Sequence, residues 1–141
     1  MQTLTLISGT LSKAHSIDAG LDIYSAEDCT VYHKDHRAIS TNLRINLPLN
    51  HFALVKPRSG LSFNHHIETG AGVIDQGYTG EIKVKLYNNS DIPFNISKGQ
   101  AIAQLVILPM PQIEVLVKNG NYQGPKEEPR LANGFGSSDY V

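Results

Sequence analysis

Residues 101–108 limit the possible folds of this chain more than any other stretch. They are apolar except for Gln104, and turn-forming residues stand on both sides. A short apolar run between turns predicts a strand buried between layers. The segment Glu81-Ile82-Lys83-Val84-Lys85-Leu86 alternates strictly. It predicts a strand with one face buried and one face wet. Ile113, Val115 and Val117 predict another of the same kind. Shorter β candidates lie at residues 3–7, 19–24, 29–32 and 52–55. Between residues 38 and 49, Leu43, Ile45, Leu47 and Leu49 alternate with Arg44, Asn46 and Pro48. That pattern predicts one half-exposed strand with an edge-like end. Lys56-Pro57-Arg58-Ser59-Gly60 and Asn88-Asn89-Ser90-Asp91 read as turns. Only residues 61–67 suggest a helix, and a short one. Many short strands split by Gly, Pro and Asn turns predict an all-β fold, a β-sandwich or barrel.

With 141 residues the chain has the size of one domain, enough for a core without staples. Its formal net charge of -1 supplies no field that would gather nucleic acid or an acidic membrane, so neither partner is expected. A small anionic ligand remains open, because local groups decide that. Cys29 is the only cysteine, so there is no internal disulfide framework, and a reducing compartment fits. No basic stretch leads into a long apolar run at the N-terminus, and no segment approaches the length of a membrane span. The expected setting is cytoplasmic or otherwise intracellular, with nuclear and viral contexts left open. From residue 119 onward Asn, Gly, Pro, Gln, Lys and Glu dominate, and apolar residues thin out to Leu131 and Phe135. Such a stretch cannot build its own core. The expected organisation is a β-rich core over residues 1–118 and a flexible arm over 119–141.

Residues able to do chemistry sit in a few segments. Asp75 follows Ile74 and precedes Gln76-Gly77. It either shapes a turn or acts as a base on a water; taken alone, the turn is the better reading. Gly70, Gly72, Gly77 and Gly80 leave the surrounding backbone adaptable enough for close ligand approach. Tyr78 packs against a sugar or is a half-buried strand aromatic. Asp22 caps a turn or holds water around Mg²⁺, a cation that keeps much of its water and takes one or two carboxylates plus phosphate oxygens. Arg58 offers a planar donor fork, Ser59 a hydroxyl, and the backbone beside Gly60 its N–H groups; together they suit a phosphate. Gln104 interrupts an apolar strand, and a buried amide needs partners. Those partners are backbone groups inside the fold or a phosphoryl oxygen at its rim. In the tail, Arg130 and the hydroxyls of Ser137 and Ser138 suit a phosphate chain, and the Phe135 ring suits a base. The histidines complete no zinc pattern: Cys29, His33 and His36 are loosely spaced, and His65-His66 has no second close pair.

Five segments, in this order, resemble the motifs of the trimeric dUTPase family. They are Ala19-Gly20-Leu21-Asp22-Ile23-Tyr24-Ser25-Ala26, Pro57-Arg58-Ser59-Gly60-Leu61, Gly72-Val73-Ile74-Asp75-Gln76-Gly77-Tyr78-Thr79-Gly80-Glu81, Gly99-Gln100-Ala101-Ile102-Ala103-Gln104-Leu105, and the tail from Arg130 to Ser138. The resemblance implies a jelly-roll-like subunit in a homotrimer, with three active sites at subunit interfaces. It implies Mg²⁺-dependent hydrolysis of dUTP to dUMP and pyrophosphate. Asp75 would be the general base for a water attacking the α-phosphorus. Tyr78 would pack on deoxyribose, and the backbone around Gly72 and Ile74 would read the uracil edge. Asp22 would hold Mg²⁺ through water, while Arg58, Ser59, Gly60 and Gln104 position phosphates. Arg130, Gly136, Ser137 and Ser138 would close around the terminal phosphate, with Phe135 stacked over uracil.

Departures from the family pattern fall in the tail. Leu131 and Asn133 stand where glycines are usual, Ser138 stands for threonine, and Asp139 follows where glycine is common. They predict a stiffer or differently timed closure. Two alternatives remain at this point. One is a related dCTP deaminase, or a bifunctional deaminase-hydrolase, although such deaminases typically carry a glutamate where this chain has Asp75. The other is a nucleotide-binding protein without turnover.

Overall fold

The computed structural model describes residues 1–125. In chain order the elements are β1 (Thr5–Ser8), β2 (Leu11–Ser12), β3 (Gly20–Tyr24), β4 (Cys29–Val31), β5 (His36–Ile39), β6 (Arg44–Asn46), β7 (His51–Lys56), α1 (Ser59–His65), β8 (Ile67–Gly70), β9 (Val73–Ile74), β10 (Val84–Asn88), β11 (Phe94–Ile96) and β12 (Ala101–Pro109). The fold is therefore mostly β, as expected. The strands form four sheets: β2-β3-β12-β7-β9, β5-β10-β8, β1-β6 and β11-β4. Among the described residues no sheet closes on itself, so the barrel form of the expectation gives way to open sheets.

The apolar run becomes β12, the centre of the largest sheet, antiparallel to β3 on one side and β7 on the other. It is less enclosed than predicted. Ala103 and Leu105 are buried, while Gln104, Val106, Ile107 and Leu108 are only half-buried. Alternate side chains of a strand take opposite faces. One face of β12 thus joins the core while the other is partly open. Ile102 is buried out of phase because the pairing with β3 shifts register between Ala101 and Ala103. An extra residue in one strand has this effect.

The alternating segment keeps its predicted burial pattern, with Ile82 buried as well, but the strand itself begins only at Val84. Val84 and Leu86 of β10 are buried, and Lys85 between them is half-buried. The alternation continues to Asn88, which the sequence places in a turn but the structure buries inside the strand. Its amide Nδ2 donates to the carbonyls of Val31 (2.9 Å) and Ile92 (2.8 Å), and its Oδ1 accepts from the Ser90 N–H (3.0 Å). Those bonds satisfy a polar group that burial would otherwise penalise.

Two β expectations fail for identifiable reasons. Residues 38–49 do not form one strand: β5 pairs with β10, and β6 pairs with β1. Between them the chain turns a corner, with Asn42 at φ 57 and the Thr41 hydroxyl bonded to the Ile82 carbonyl (2.5 Å). Asparagine tolerates that left-handed backbone better than most residues. Ile113, Val115 and Val117 alternate but form no strand; Ile113 is 78% exposed and its neighbour Leu116 81%. A strand needs a partner for its backbone groups, and a sheet face needs something to cover it. The helix α1 begins earlier than predicted, so Ser59 and Gly60 belong to its first turn, and Ile67 opens β8 instead.

No helix among the described residues is long and apolar enough to cross a membrane.

Candidate functional site

Three adjacent strands deliver the predicted phosphate-binding residues to one place. Gln104 on β12 lies directly opposite Asp22 on β3 and opposite Lys56 on β7. Residues directly opposite in antiparallel register share a face of the sheet. The chain leaves β7, passes Pro57 and enters α1, which brings Arg58, Ser59 and Gly60 alongside. The result is an open cavity of about 340 Å³ lined by Asp22, Arg58, Ser59, Gly60 and Gln104, with Ala14, Asp18, Ala19 and Gly20 completing its wall.

Within the cavity, Arg58 Nε lies 3.3 Å from Asp22 Oδ1, with both side chains partly exposed. An exposed pair of this kind contributes about 0–1 kcal/mol, so its main effect is to orient the guanidinium. Gln104 Nε2 donates to the Pro57 carbonyl at 2.9 Å. Of the two partners expected for this amide, the structure shows the backbone one. The carboxamide has a second N–H. Gly20 was not singled out from the sequence, yet it makes room for this group. A Cβ added there would fall against Gln104 Oε1 and within 3.1 Å of Gln104 Cβ. Asp18 was missed too; its carboxylate accepts from the His15 N–H at 2.9 Å and closes the loop at the cavity wall. Nothing in the sequence distinguishes that aspartate from an ordinary turn residue.

Asp75 and Tyr78 lie elsewhere in the chain, and neither lines this cavity. β9 pairs with β7 at the edge of the large sheet, with Ile74 buried opposite Ala53. Gly72 precedes β9 with φ +100, and its carbonyl accepts from the Val55 N–H at 2.8 Å. A side chain there would be strained and would meet the Val55 carbonyl at 3.0 Å. Asp75, just past β9, is exposed. The Tyr78 N–H donates to the Asp75 carbonyl at 3.2 Å, closing the turn between them.

Tyr78 is not a strand aromatic. It is 6% exposed, and its hydroxyl donates to the Glu81 carbonyl at 2.7 Å. Burial, and then the Glu81 carboxylate, raise its phenol above the usual value, with Arg44 opposing. Glu81 itself feels contrary influences. Burial pushes its carboxyl up, but the Ser40 hydroxyl, the amides of Asn42 and Thr41 and the charge of Lys83 outweigh it and hold the group below its ordinary value. A carboxylate depressed in the folded state contributes stability above its unfolded pKa and loses it as pH falls through the folded value. Glu81→Gln is therefore expected to cost stability near pH 7 and less or nothing in acid. Thermal unfolding of both proteins from pH 3 to pH 7 checks this, and parallel curves would refute it.

The expectations for Arg130, Phe135, Gly136, Ser137 and Ser138 lie outside the described residues. Among the described residues no group of three or more His, Cys, Asp or Glu is placed to hold a metal ion. A cation at Asp22 would therefore need most of its ligands from water or a bound phosphate.

Known proteins resemble the chain over most of its length. The dUTPase family model matches residues 9–139. A deoxyuridine 5'-triphosphate nucleotidohydrolase of Clostridium kluyveri is 42% identical over 127 residues, spanning 89% of this chain and 86% of the relative. Its counterpart in Candida albicans is 39% identical over 127 residues, spanning 90% of this chain and 79% of the relative. Among solved structures, the dUTPase of Staphylococcus bacteriophage 80alpha with dUpNHpp superposes with a TM-score of 0.76 at 27% identity, covering 97% of this chain and 98% of that one. Native EIAV dUTPase gives a TM-score of 0.75 at 28% identity, covering 86% and 100%. Sequence similarity and fold converge over nearly the whole length: the chain belongs to the dUTPase family, and is an enzyme of the dUTP diphosphatase type.

Proposed function

We propose that the chain hydrolyses dUTP to dUMP and pyrophosphate in a Mg²⁺-dependent reaction, with Asp75 as the base that activates the attacking water. The observation that carries this reading is the meeting of Asp22, Arg58, Ser59, Gly60 and Gln104, from three separate sequence segments, at one cavity. A donor fork, a hydroxyl and a carboxamide beside a carboxylate suit a phosphate chain with a hydrated cation.

Arg58 and Ser59 hold the phosphates by charge-assisted and hydroxyl hydrogen bonds, and Gln104 offers its second N–H. Of the two half-buried carboxylates at the cavity, Asp18 already accepts from the His15 N–H, and Asp22 is the group that would hold Mg²⁺ through water. The D95N mutant of a dUTPase from phage phi11 of S. aureus, 25% identical to this chain, coordinates a structural Mg(II) ion, which supports divalent-ion use on this fold. When bound, the ion neutralises phosphate charge and eases departure of pyrophosphate. Asp75 takes a proton from water as the water attacks the α-phosphorus. The edge backbone of β9 around Gly72 and Ile74 reads the uracil edge, where cytosine presents a donor in place of an acceptor. Tyr78 fills the space that a ribose 2'-hydroxyl would need.

The active form in this reading is a homotrimer with shared sites. Two features support it: Asp75 lies outside the cavity of its own chain, and the alternating apolar stretch at 113–117 is exposed. Residues 1–118 form the core, and 119–141 form an arm that closes over the ligand. Arg130, Gly136, Ser137 and Ser138 of the arm engage the terminal phosphate, and Phe135 covers uracil. An intracellular setting supplies such a substrate.

Product analysis with dUTP and Mg²⁺, run beside dCTP, dTTP and UTP, tests the reading. Selective release of dUMP and pyrophosphate supports it; ammonia from dCTP, or nucleotide binding without turnover, overturns it. Gly20 gives a sharper test of the phosphate cavity. Gly20→Val forces the Gln104 carboxamide from its place and is expected to lower kcat/KM by about tenfold or more, since misplaced positioning groups are costly. Unaltered steady-state kinetics in that variant would remove Gln104 from the site.

A further inference from the structure

The segment that carries Tyr78 is tied to residues 40–44 by bonds that belong to no strand ladder. The Ser40 hydroxyl donates to Glu81 Oε2 at 2.5 Å, and the Asn42 N–H donates to the same oxygen at 2.9 Å. Arg44 Nε donates to the Thr79 carbonyl at 2.8 Å. The Ile82 N–H donates to the Leu43 carbonyl at 2.8 Å, and the Thr41 hydroxyl to the Ile82 carbonyl at 2.5 Å. Residues 78–82 and 40–43 all lie between strands. Without these bonds the loop backbone has no regular structure to hold it.

Inside this frame the Tyr78 ring is held at two points. Its hydroxyl donates to the Glu81 carbonyl at 2.7 Å. Its flank lies so close to Gly80 that an added Cβ would come within 2.8 Å of Tyr78 Cζ. The backbone that receives the hydroxyl is thus the backbone whose side chain is clamped by Ser40 and Asn42.

We propose that Glu81 is a positioning residue for sugar discrimination: its clamped carboxylate fixes the carbonyl that holds the Tyr78 hydroxyl, and so fixes the ring that excludes a ribose 2'-hydroxyl. The inference rests on the reading of Tyr78 given above. Glu81 touches no substrate in this scheme. It acts by removing freedom from a ring whose exclusion of one oxygen depends on small displacements. A purely structural role predicts a loss of stability and an unchanged preference between sugars. A positioning role predicts a change in preference beyond that of an equally destabilised protein.

The test compares kcat/KM for dUTP and UTP in the full-length protein. Glu81→Ala is expected to raise the UTP-to-dUTP ratio by about tenfold. Glu81→Gln keeps an acceptor oxygen and should lie near wild type. Ser40→Ala removes one donor only, and should shift the ratio in the same direction by less; it decides the matter if Glu81→Ala does not fold. Val31→Ala, a core truncation in β4, serves as the control with lowered melting temperature; its backbone is bonded to Asn88 and paired with β11, not with the loop. An unchanged ratio in folded Glu81→Ala, or an equal shift in Val31→Ala, overturns the proposal. Tyr78→Ala separates the two levels. If its ratio also stays at wild type, the reading of Tyr78 fails and the proposal with it; if its ratio rises while that of Glu81→Ala does not, only the positioning role fails.

Discussion

Asp75→Asn is expected to lower dUTP turnover by at least about a hundredfold while nucleotide affinity stays within about threefold, the usual signature of a lost general base. The substitution keeps shape and removes only the basic oxygen. Asp75 is exposed at the end of β9 and contributes nothing to the hydrophobic core, so the folded core should survive the substitution. Its backbone carbonyl, which accepts from the Tyr78 N–H, is untouched. A fall in kcat with preserved binding therefore isolates the carboxylate. Pyrophosphate release gives kcat, and calorimetry with a non-hydrolysable dUTP analogue gives affinity. Turnover near the wild-type rate would mean that the water is activated by another group, and the assignment would be withdrawn. Loss of affinity with intact kcat would instead make Asp75 a binding residue.

Legibility of the fold tracks how local the governing physics is. β10 was readable because Val84, Lys85 and Leu86 alternate and a single buried face produces that pattern. β12 was readable as a strand but not in its degree of burial, because the cover over Val106 and Leu108 depends on what packs above them. The corner at Thr41 and Asn42 was invisible: the apolar alternation is similar on both sides, and the cause is a bond to Ile82 about forty residues away. The exposed stretch at 113–117 carries a strand pattern that a single described chain does not use. The site shows the same division. The residue types of Asp22, Arg58 and Ser59 offer phosphate chemistry beside plain turn readings, whereas the space that Gly20 leaves for Gln104 exists only after β3 and β12 are paired. Tyr78 was legible as a candidate to pack on a sugar, but its anchorage through Glu81 was not, since an ordinary surface carboxylate reads identically.

Removal of residues 130–141 is expected to reduce kcat/KM for dUTP at least about a hundredfold with the fold intact, given about 1.5–3 kcal/mol for each hydrogen bond to a charged group. Among the described residues regular structure ends with β12 at Pro109, and the last fully buried side chain is Leu105. Stability should therefore survive the deletion. Binding should not. Among the described residues that line the cavity, Arg58 is the one cation, and it is already 3.3 Å from the Asp22 carboxylate. A triphosphate confronted with one partly compensated guanidinium is short of donors, even with Mg²⁺ carrying some of its charge. Arg130, Ser137 and Ser138 would supply the deficit, and Phe135 would shield the base from water. Shielding matters beyond contact energy, because excluding water strengthens each remaining electrostatic interaction at the reacting phosphorus. The comparison is steady-state kinetics and thermal unfolding of the full chain against one ending at residue 129. An unchanged kcat/KM with an unchanged melting temperature would place the missing donors on a neighbouring subunit's core instead, and the arm would have no part in closure.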